Sequence, residues 1–285
     1  MPEVELSAGP IEYTDTGGDG PVLVFLHGVT IDSTVWRTVV AELGEHYRCV
    51  LPTWPLGSHR KPMRPDADLS LRGLGLLVGE FLERLDLHDV TLVLNDWGGG
   101  QLLLTEGRTE RLARVVLTAC EAFDNYPPGL PGRLLTLTTK VPGGLKVLLS
   151  LLRFRFFQRA PGAWGWMSKR PVPAEVMHRW FEPARTRPEI RRDLARYGAS
   201  LPPKRTLLDW AARMRSFTGP VLVVWATEDK LMPREHGRRL AELFPDGRLV
   251  EVEDSYTLIP EDQPGLLADT IRKFIVDTPV TRARD

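Results

Sequence analysis

Short apolar runs alternate with amphipathic stretches through most of this chain. Val22–Leu26, Cys49–Leu51, Thr91–Leu94, Val115–Ala119 and Val221–Trp225 are mostly continuous apolar runs. That is the pattern of strands buried on both faces of a parallel sheet. Leu74, Leu77, Val78, Phe81, Leu82 and Leu85 fall at i, i+3, i+4, i+7, i+8 and i+11, one apolar stripe of a helix. Alternation of this kind predicts an α/β fold with a mostly parallel sheet and helices on both faces. In such sheets chemistry collects beyond the carboxyl ends of the strands. His27, Asp96, Glu121 and Asp229 all fall at those ends.

The rhythm fails between residues 124 and 217. That segment opens on the turn-rich run Tyr126-Pro127-Pro128-Gly129-Leu130-Pro131-Gly132 and continues rich in leucine, arginine and tryptophan. Its density of large apolar residues argues against disorder. The expectation is a core of residues 1–123 and 218–285, with residues 124–217 inserted as a helical cap. The tail after Phe274, with Thr281-Arg282-Ala283-Arg284-Asp285, is expected to fray.

A chain of 285 residues can bury a large core. With 37 basic and 37 acidic residues it is neutral overall, so bulk charge offers no reason to expect nucleic acid or an anionic membrane. Cys49 and Cys120 lie in apolar runs and read as buried free thiols. No cysteine–histidine spacing suggests a metal, and no cofactor is expected. The apolar stretch from Val147 to Phe157 is broken by Arg153 and Arg155 and is too short to span a bilayer. The N-terminus lacks the basic and apolar regions of a secretory signal, and the expected location is cytoplasmic. The oligomeric state is left open.

The chemistry concentrates at Asp96, in Val93-Leu94-Asn95-Asp96-Trp97-Gly98-Gly99-Gly100. A strand turning sharply into a helix needs small residues just past the turn, where a side chain would strike neighbouring backbone. That geometry pushes one side chain out above the sheet. A carboxylate there attacks sp³ carbon, which favours epoxide opening or halide displacement over ester hydrolysis. Asp96 as a plain helix cap fits the surrounding chain less well.

From about Ile11 to Val276 the chain resembles the α/β-hydrolase superfamily, in its epoxide hydrolase and haloalkane dehalogenase branch. The resemblance rests on Phe25-Leu26-His27-Gly28, Pro55-Leu56-Gly57-Ser58, the Asn95–Gly99 elbow, Val223–Asp229 and the run from Glu253 to Pro264. It implies Asp96 as nucleophile and Asp229 as the acid that orients a base. Glu121 matches an alternative acid position of some dehalogenases. The backbone N–H groups of Val29 and Trp97 would serve an oxyanion or halide. The Trp97 indole would also cradle a halide, with Trp164, Trp166 and Trp180 as cap candidates for a second donor. An epoxide would instead need a cap acid, for which Tyr126 and Tyr197 are candidates. His27 reads as a residue that holds its loop.

The chain departs from the family at the catalytic histidine, where the resemblance puts Tyr256. Tyrosine, with a reference pKa near 10, is a poor base at neutral pH. His59 is the best placed of the other histidines to substitute. The leading expectation is a cofactor-independent hydrolase for a small hydrophobic epoxide or halide. The alternatives are a hydrolase-fold protein that binds a hydrophobic ligand, and a non-hydrolytic isomerase or cyclase using Asp96 and Tyr256. In each catalytic reading Asp96, Tyr256 and Asp229 meet in one pocket, with the N–H groups of Val29 and Trp97 facing it.

Overall fold

A computed structural model of the chain describes residues 1–162 and 164–280. The first half runs β1 Glu3–Leu6, β2 Gly9–Asp15, β3 Val22–Leu26, α1 Arg37–Leu43, β4 Arg48–Pro52, α2 Leu71–Arg84, β5 Val90–Asp96, α3 Leu102–Thr105 and β6 Leu112–Cys120. Six helices follow: α4 Gly129–Thr139, α5 Gly144–Leu151, α6 Arg155–Arg159, α7 Ala174–Thr186, α8 Pro188–Ala199 and α9 Lys204–Met214. The chain closes with β7 Val221–Ala226, α10 Arg234–Leu243, β8 Gly247–Val252, α11 Ile259–Asp262 and α12 Pro264–Asp277.

The eight strands form one sheet in the order β1-β2-β4-β3-β5-β6-β7-β8. The pairs β1–β2 and β2–β4 are antiparallel, and all others are parallel. The five strands read from apolar runs are β3 to β7. β1, β2 and β8 escaped that reading because half-exposed positions dilute their apolar signal; β1 and β8 are the two edge strands and β2 lies beside β1. α2 starts where the Ser70 hydroxyl accepts the Gly73 N–H, and it buries the stripe from Leu74 to Leu82. Every residue of β5 is buried, so the strand that ends on Asp96 is fixed from both faces. Both cysteines are buried and free.

Among the described residues no strand interrupts the segment between β6 and β7. The turn-rich run is only partly a linker, because α4 begins inside it at Gly129. α7 and α8 are pinned to loops of the core. Arg179 Nε donates to Asp32 Oδ2 at 2.6 Å and Trp180 Nε1 to Thr34 Oγ1 at 2.9 Å. Ser58 Oγ donates to the Trp180 carbonyl at 2.7 Å, and the Ala184 N–H to the Gly57 carbonyl at 3.2 Å. By contrast, the described hydrogen bonds of α4 to α6 stay within that segment. No described helix is long and apolar enough to cross a membrane. The tail expected to fray after Phe274 is instead helical through Asp277, the end of α12, and residues 281–285 lie outside the described residues.

Candidate active site

Asp96 is the last residue of β5 and has φ of 63°, in the left-handed region that few residues other than glycine, asparagine and aspartate adopt. The turn continues through Gly99 at φ 74°. Gly28 faces the elbow so closely that a Cβ there would lie 2.1 Å from Asp96 Oδ2, so any larger residue would displace the carboxylate. Glu121, just after β6, accepts the Gly99 N–H at 2.6 Å and the Gly98 N–H at 3.3 Å. It thus satisfies the donors that a capping Asp96 would have taken. Asp96 Oδ2 is buried and has no hydrogen-bond partner.

Burial drives the Asp96 carboxyl well above the usual carboxylate range; the Trp97 N–H pulls it back, and the nearby Glu121 and Asp229 raise it further. Glu121 is pushed up to about 7 by burial, against the hydrogen bonds it receives. Three carboxyl groups therefore share one desolvated neighbourhood, and they do not all ionise together at neutral pH.

Asp96 borders two cavities. The larger, about 70 Å³, is walled by Val29, Trp97, Leu135, Leu149, Trp164 and Leu231. At about 10–15 Å³ per water it takes a handful of waters or a short-chain organic molecule. The smaller, about 10 Å³, has room for one water. Four residues lining it carry unpartnered buried atoms: Trp54 Nε1, Asn95 Oδ1, Asp96 Oδ2 and Gln101 Oε1.

The second acid lies beyond β7. Asp229 Oδ1 accepts the Leu231 and Met232 N–H groups at 2.8 and 3.0 Å and the Thr257 hydroxyl at 2.9 Å. Its Oδ2 is buried and unpartnered. Burial, partly offset by those bonds, pushes the Asp229 carboxyl up to about 6. The partner of Asp229 is therefore Thr257, fully buried, and not Tyr256. The Tyr256 ring lies half-buried, with Lys169 Nζ and Lys230 Nζ 5.5 and 5.6 Å from its centroid. It lines neither cavity. Neighbouring side chains in an extended loop diverge, so a one-residue displacement of the reading exchanges the inward group for the outward one. The sequence signal was the Tyr256-Thr257 pair; which hydroxyl points inward is fixed only by the fold.

The remaining candidates divide. His27 Nδ1 donates to the Gly28 carbonyl at 2.9 Å, and Nε2 accepts the Trp54 N–H. With Nε2 an acceptor, Nδ1 is the donor and the ring is neutral; burial holds its pKa down to about 4. It fastens a loop. His59 accepts the Gly57 N–H at Nδ1, and its Nε2 lies 3.2 Å from Asp193 Oδ2 in α8. Both ring nitrogens are engaged away from Asp96, so His59 is not a replacement base. The Val29 N–H donates to the Trp97 carbonyl at 2.8 Å, which removes it as an anion donor. Trp97 Nε1 is buried and unpartnered, and Trp97 lines the larger cavity.

Trp180 spends its Nε1 on Thr34, and Trp166 packs against the core without lining the cavity. Trp164 does line it, with its ring 5.6 Å from Trp180. Tyr126 and Tyr197 both pack on Trp97, at 5.5 and 5.6 Å between centroids. The Tyr126 hydroxyl donates to the Ser200 carbonyl, whereas the Tyr197 hydroxyl is buried and unpartnered. Sequence reading missed Thr257, Gln101 and the leucines of α4 and α5 that wall the cavity, because spacing alone does not show which helix faces turn inward.

Comparison with known proteins agrees with this architecture. Haloalkane dehalogenase 2 of Mycobacterium bovis is 27% identical over 272 residues, covering 93% of this chain and 91% of that protein. A cis-3-alkyl-4-alkyloxetan-2-one decarboxylase of Xanthomonas campestris is 24% identical, covering 95% and 93%. Among solved structures, an alpha/beta hydrolase fold protein from Burkholderia ambifaria superposes with a TM-score of 0.75 at 24% identity, covering 95% of this chain and 97% of that one. An ancestral haloalkane dehalogenase, AncHLD2, gives 0.75 at 22%, covering 98% and 99%. The profile of the Alpha/beta hydrolase family matches residues 23–270, and the chain belongs to that family.

Proposed function

We propose that this protein is an aspartate-dependent hydrolase acting on a small apolar molecule with a halide or epoxide on sp³ carbon. The observation that carries the reading is Asp96: a carboxylate held at positive φ on a strand end, with one buried oxygen unpartnered, at the wall of an apolar cavity. In the first step an Asp96 oxygen attacks the carbon. The new C–O bond forms as the bond to halogen or ring oxygen breaks, and the electron pair leaves with that atom. Trp97 Nε1 is the donor available to a departing halide. The Tyr197 hydroxyl, kept protonated by burial and unpartnered, sits behind Trp97 and not in the cavity lining, so it would have to turn toward the cavity to serve an epoxide oxygen. The dehalogenase name of the Mycobacterium relative agrees with this class.

In the second step water attacks the ester carbonyl. Asp229, with Oδ2 free and ionised above about pH 6, takes a proton from the water and returns it to the alkoxide as the acyl C–O bond breaks, which releases the alcohol and Asp96, whose own proton passes to solvent. Thr257 is too short to relay it as an imidazole does, so the carboxylate works through water and this step is slow. The ester then accumulates during turnover. Because Asp96 attacks only as the carboxylate, and its pKa is raised, the first step quickens toward alkaline pH. A base–acid pair of Asp96 with Tyr256 gains no support, since Tyr256 lines neither cavity.

The test is halide or diol release from a panel of short 1-haloalkanes and terminal epoxides. With haloalkanes the expected result is a halide burst of up to one equivalent per chain followed by slow turnover, with epoxides slow diol release without a burst, and in both cases no release by Asp96→Asn, whose side chain tolerates the same φ. Release by Asp96→Asn at the wild-type rate would remove Asp96 from the chemistry.

A further inference from the structure

Whole-chain neutrality conceals a segregated surface. From Asn125 to Ala160 the chain carries Arg133, Lys140, Lys146, Arg153, Arg155 and Arg159, and no aspartate or glutamate. All six are exposed, and among the described residues none has an ion-pair partner. Some exposed arginines elsewhere are paired: Arg64, Arg72 and Arg234 each meet a glutamate.

The same helices expose large apolar side chains. Leu130, Leu134 and Leu137 fall at i, i+4 and i+7, on one face of α4, and all three are exposed. Val147 of α5 is 60% exposed, Phe154 48%, and Phe156 of α6 77%. α4 packs against α5. Leu134 also lines the cavity at Asp96, so a wall of that cavity reaches this surface. Single exposed apolar residues are ordinary, but a concentration on consecutive helices marks an interaction site.

We propose that the α4–α6 face docks on the surface of an anionic phospholipid bilayer. Leucine and phenylalanine side chains enter the boundary between headgroups and acyl chains, and the lysines and arginines meet the lipid phosphates. The absence of acidic residues is what selects this partner. A second copy docked symmetrically through this face would have to bring six cations against six of like sign. Docking presents the Leu134 wall of the cavity to the lipid, a route for an apolar substrate. The proposal concerns binding and stands apart from the role of Asp96, so it is measured on Asp96→Asn as well as on the wild type.

The experiment is co-sedimentation of the full chain with vesicles of phosphatidylcholine alone, or with about a third phosphatidylglycerol to give surface charge. The expected result is binding to the anionic vesicles only, reversed by about 0.5 M salt. Lys146→Gln with Arg155→Gln should weaken it roughly thirty-fold. Phe154→Ser with Phe156→Ser should weaken it at least about tenfold. These positions are exposed, so thermal melting should be unchanged and loss of binding is not loss of fold. Equal binding to both vesicles, or binding to neither, would overturn the proposal. So would a concentration-dependent dimer that the phenylalanine substitutions disperse, which would assign the face to a second copy.

Discussion

At the end of β5 the chain accepts a left-handed residue, lines the turn with glycine and leaves an Asp96 oxygen without a partner. Beyond β7, two strands away in the sheet, Asp229 sits in a relaxed loop with one oxygen saturated by two backbone N–H groups and the Thr257 hydroxyl. The first region spends conformational strain on exposing a reactive group. The second holds an acid in place but puts a short hydroxyl where a base would be useful. Under the proposed mechanism the contrast makes attack and release separable. The elbow needs only backbone geometry and small residues, whereas release needs one side chain of the right length.

The contrast can be broken most forcefully at Thr257. Thr257→His places an imidazole beside Asp229, and general-base assistance is worth about 10² to 10⁴ in rate. Breakdown of the Asp96 ester should rise by about that factor and fall away below about pH 6 as the ring protonates. Tyr256→His should leave breakdown unchanged. Single-turnover kinetics on both variants decide the matter; acceleration by Tyr256→His alone would restore Tyr256 to the site and displace Thr257.

A smaller effect sharpens the elbow itself. Glu121 has its pKa raised from 4.5 to about 7, so the folded protein holds that proton more tightly than the unfolded chain. Its contribution is fully present below about pH 4.5 and is lost as pH rises through about 7, a change of order 3 kcal/mol at most. Glu121→Gln keeps an oxygen for the Gly98 and Gly99 N–H groups and cannot ionise. Denaturant unfolding from pH 5 to 9 should show the wild type losing stability relative to Glu121→Gln as pH rises. Parallel curves would mean that Glu121 is not protonated on folding. The least effect is expected at Tyr256→Phe. The ring keeps its contacts with Lys169 and Lys230, and stability measured the same way should move by no more than about 0.5 kcal/mol.

The central sheet was readable because β3 to β7 are buried on both faces and carry few polar residues. Asp96 was readable for a related reason: the glycines that let the elbow turn follow it directly in the chain. Contacts between distant segments were not. The pairing of Thr257 with Asp229 spans 28 residues, and His59 meets Asp193 across 134. Val29 reads as a free donor until the Trp97 carbonyl is seen 2.8 Å from its nitrogen. Neutral composition likewise hid the basic face of α4 to α6, because a sum over the chain carries no position.

The most direct test of the account is the mass of the intact protein after incubation with a short 1-bromoalkane at mildly alkaline pH. Wild-type chain should gain one alkyl group in place of a proton, with the addition mapping to the peptide that contains Asp96. Asp96→Asn should stay unmodified, and the Thr257→His chain should lose the addition on standing. An addition that persists in Asp96→Asn, or a wild-type chain that releases bromide without ever carrying the alkyl group, would contradict it.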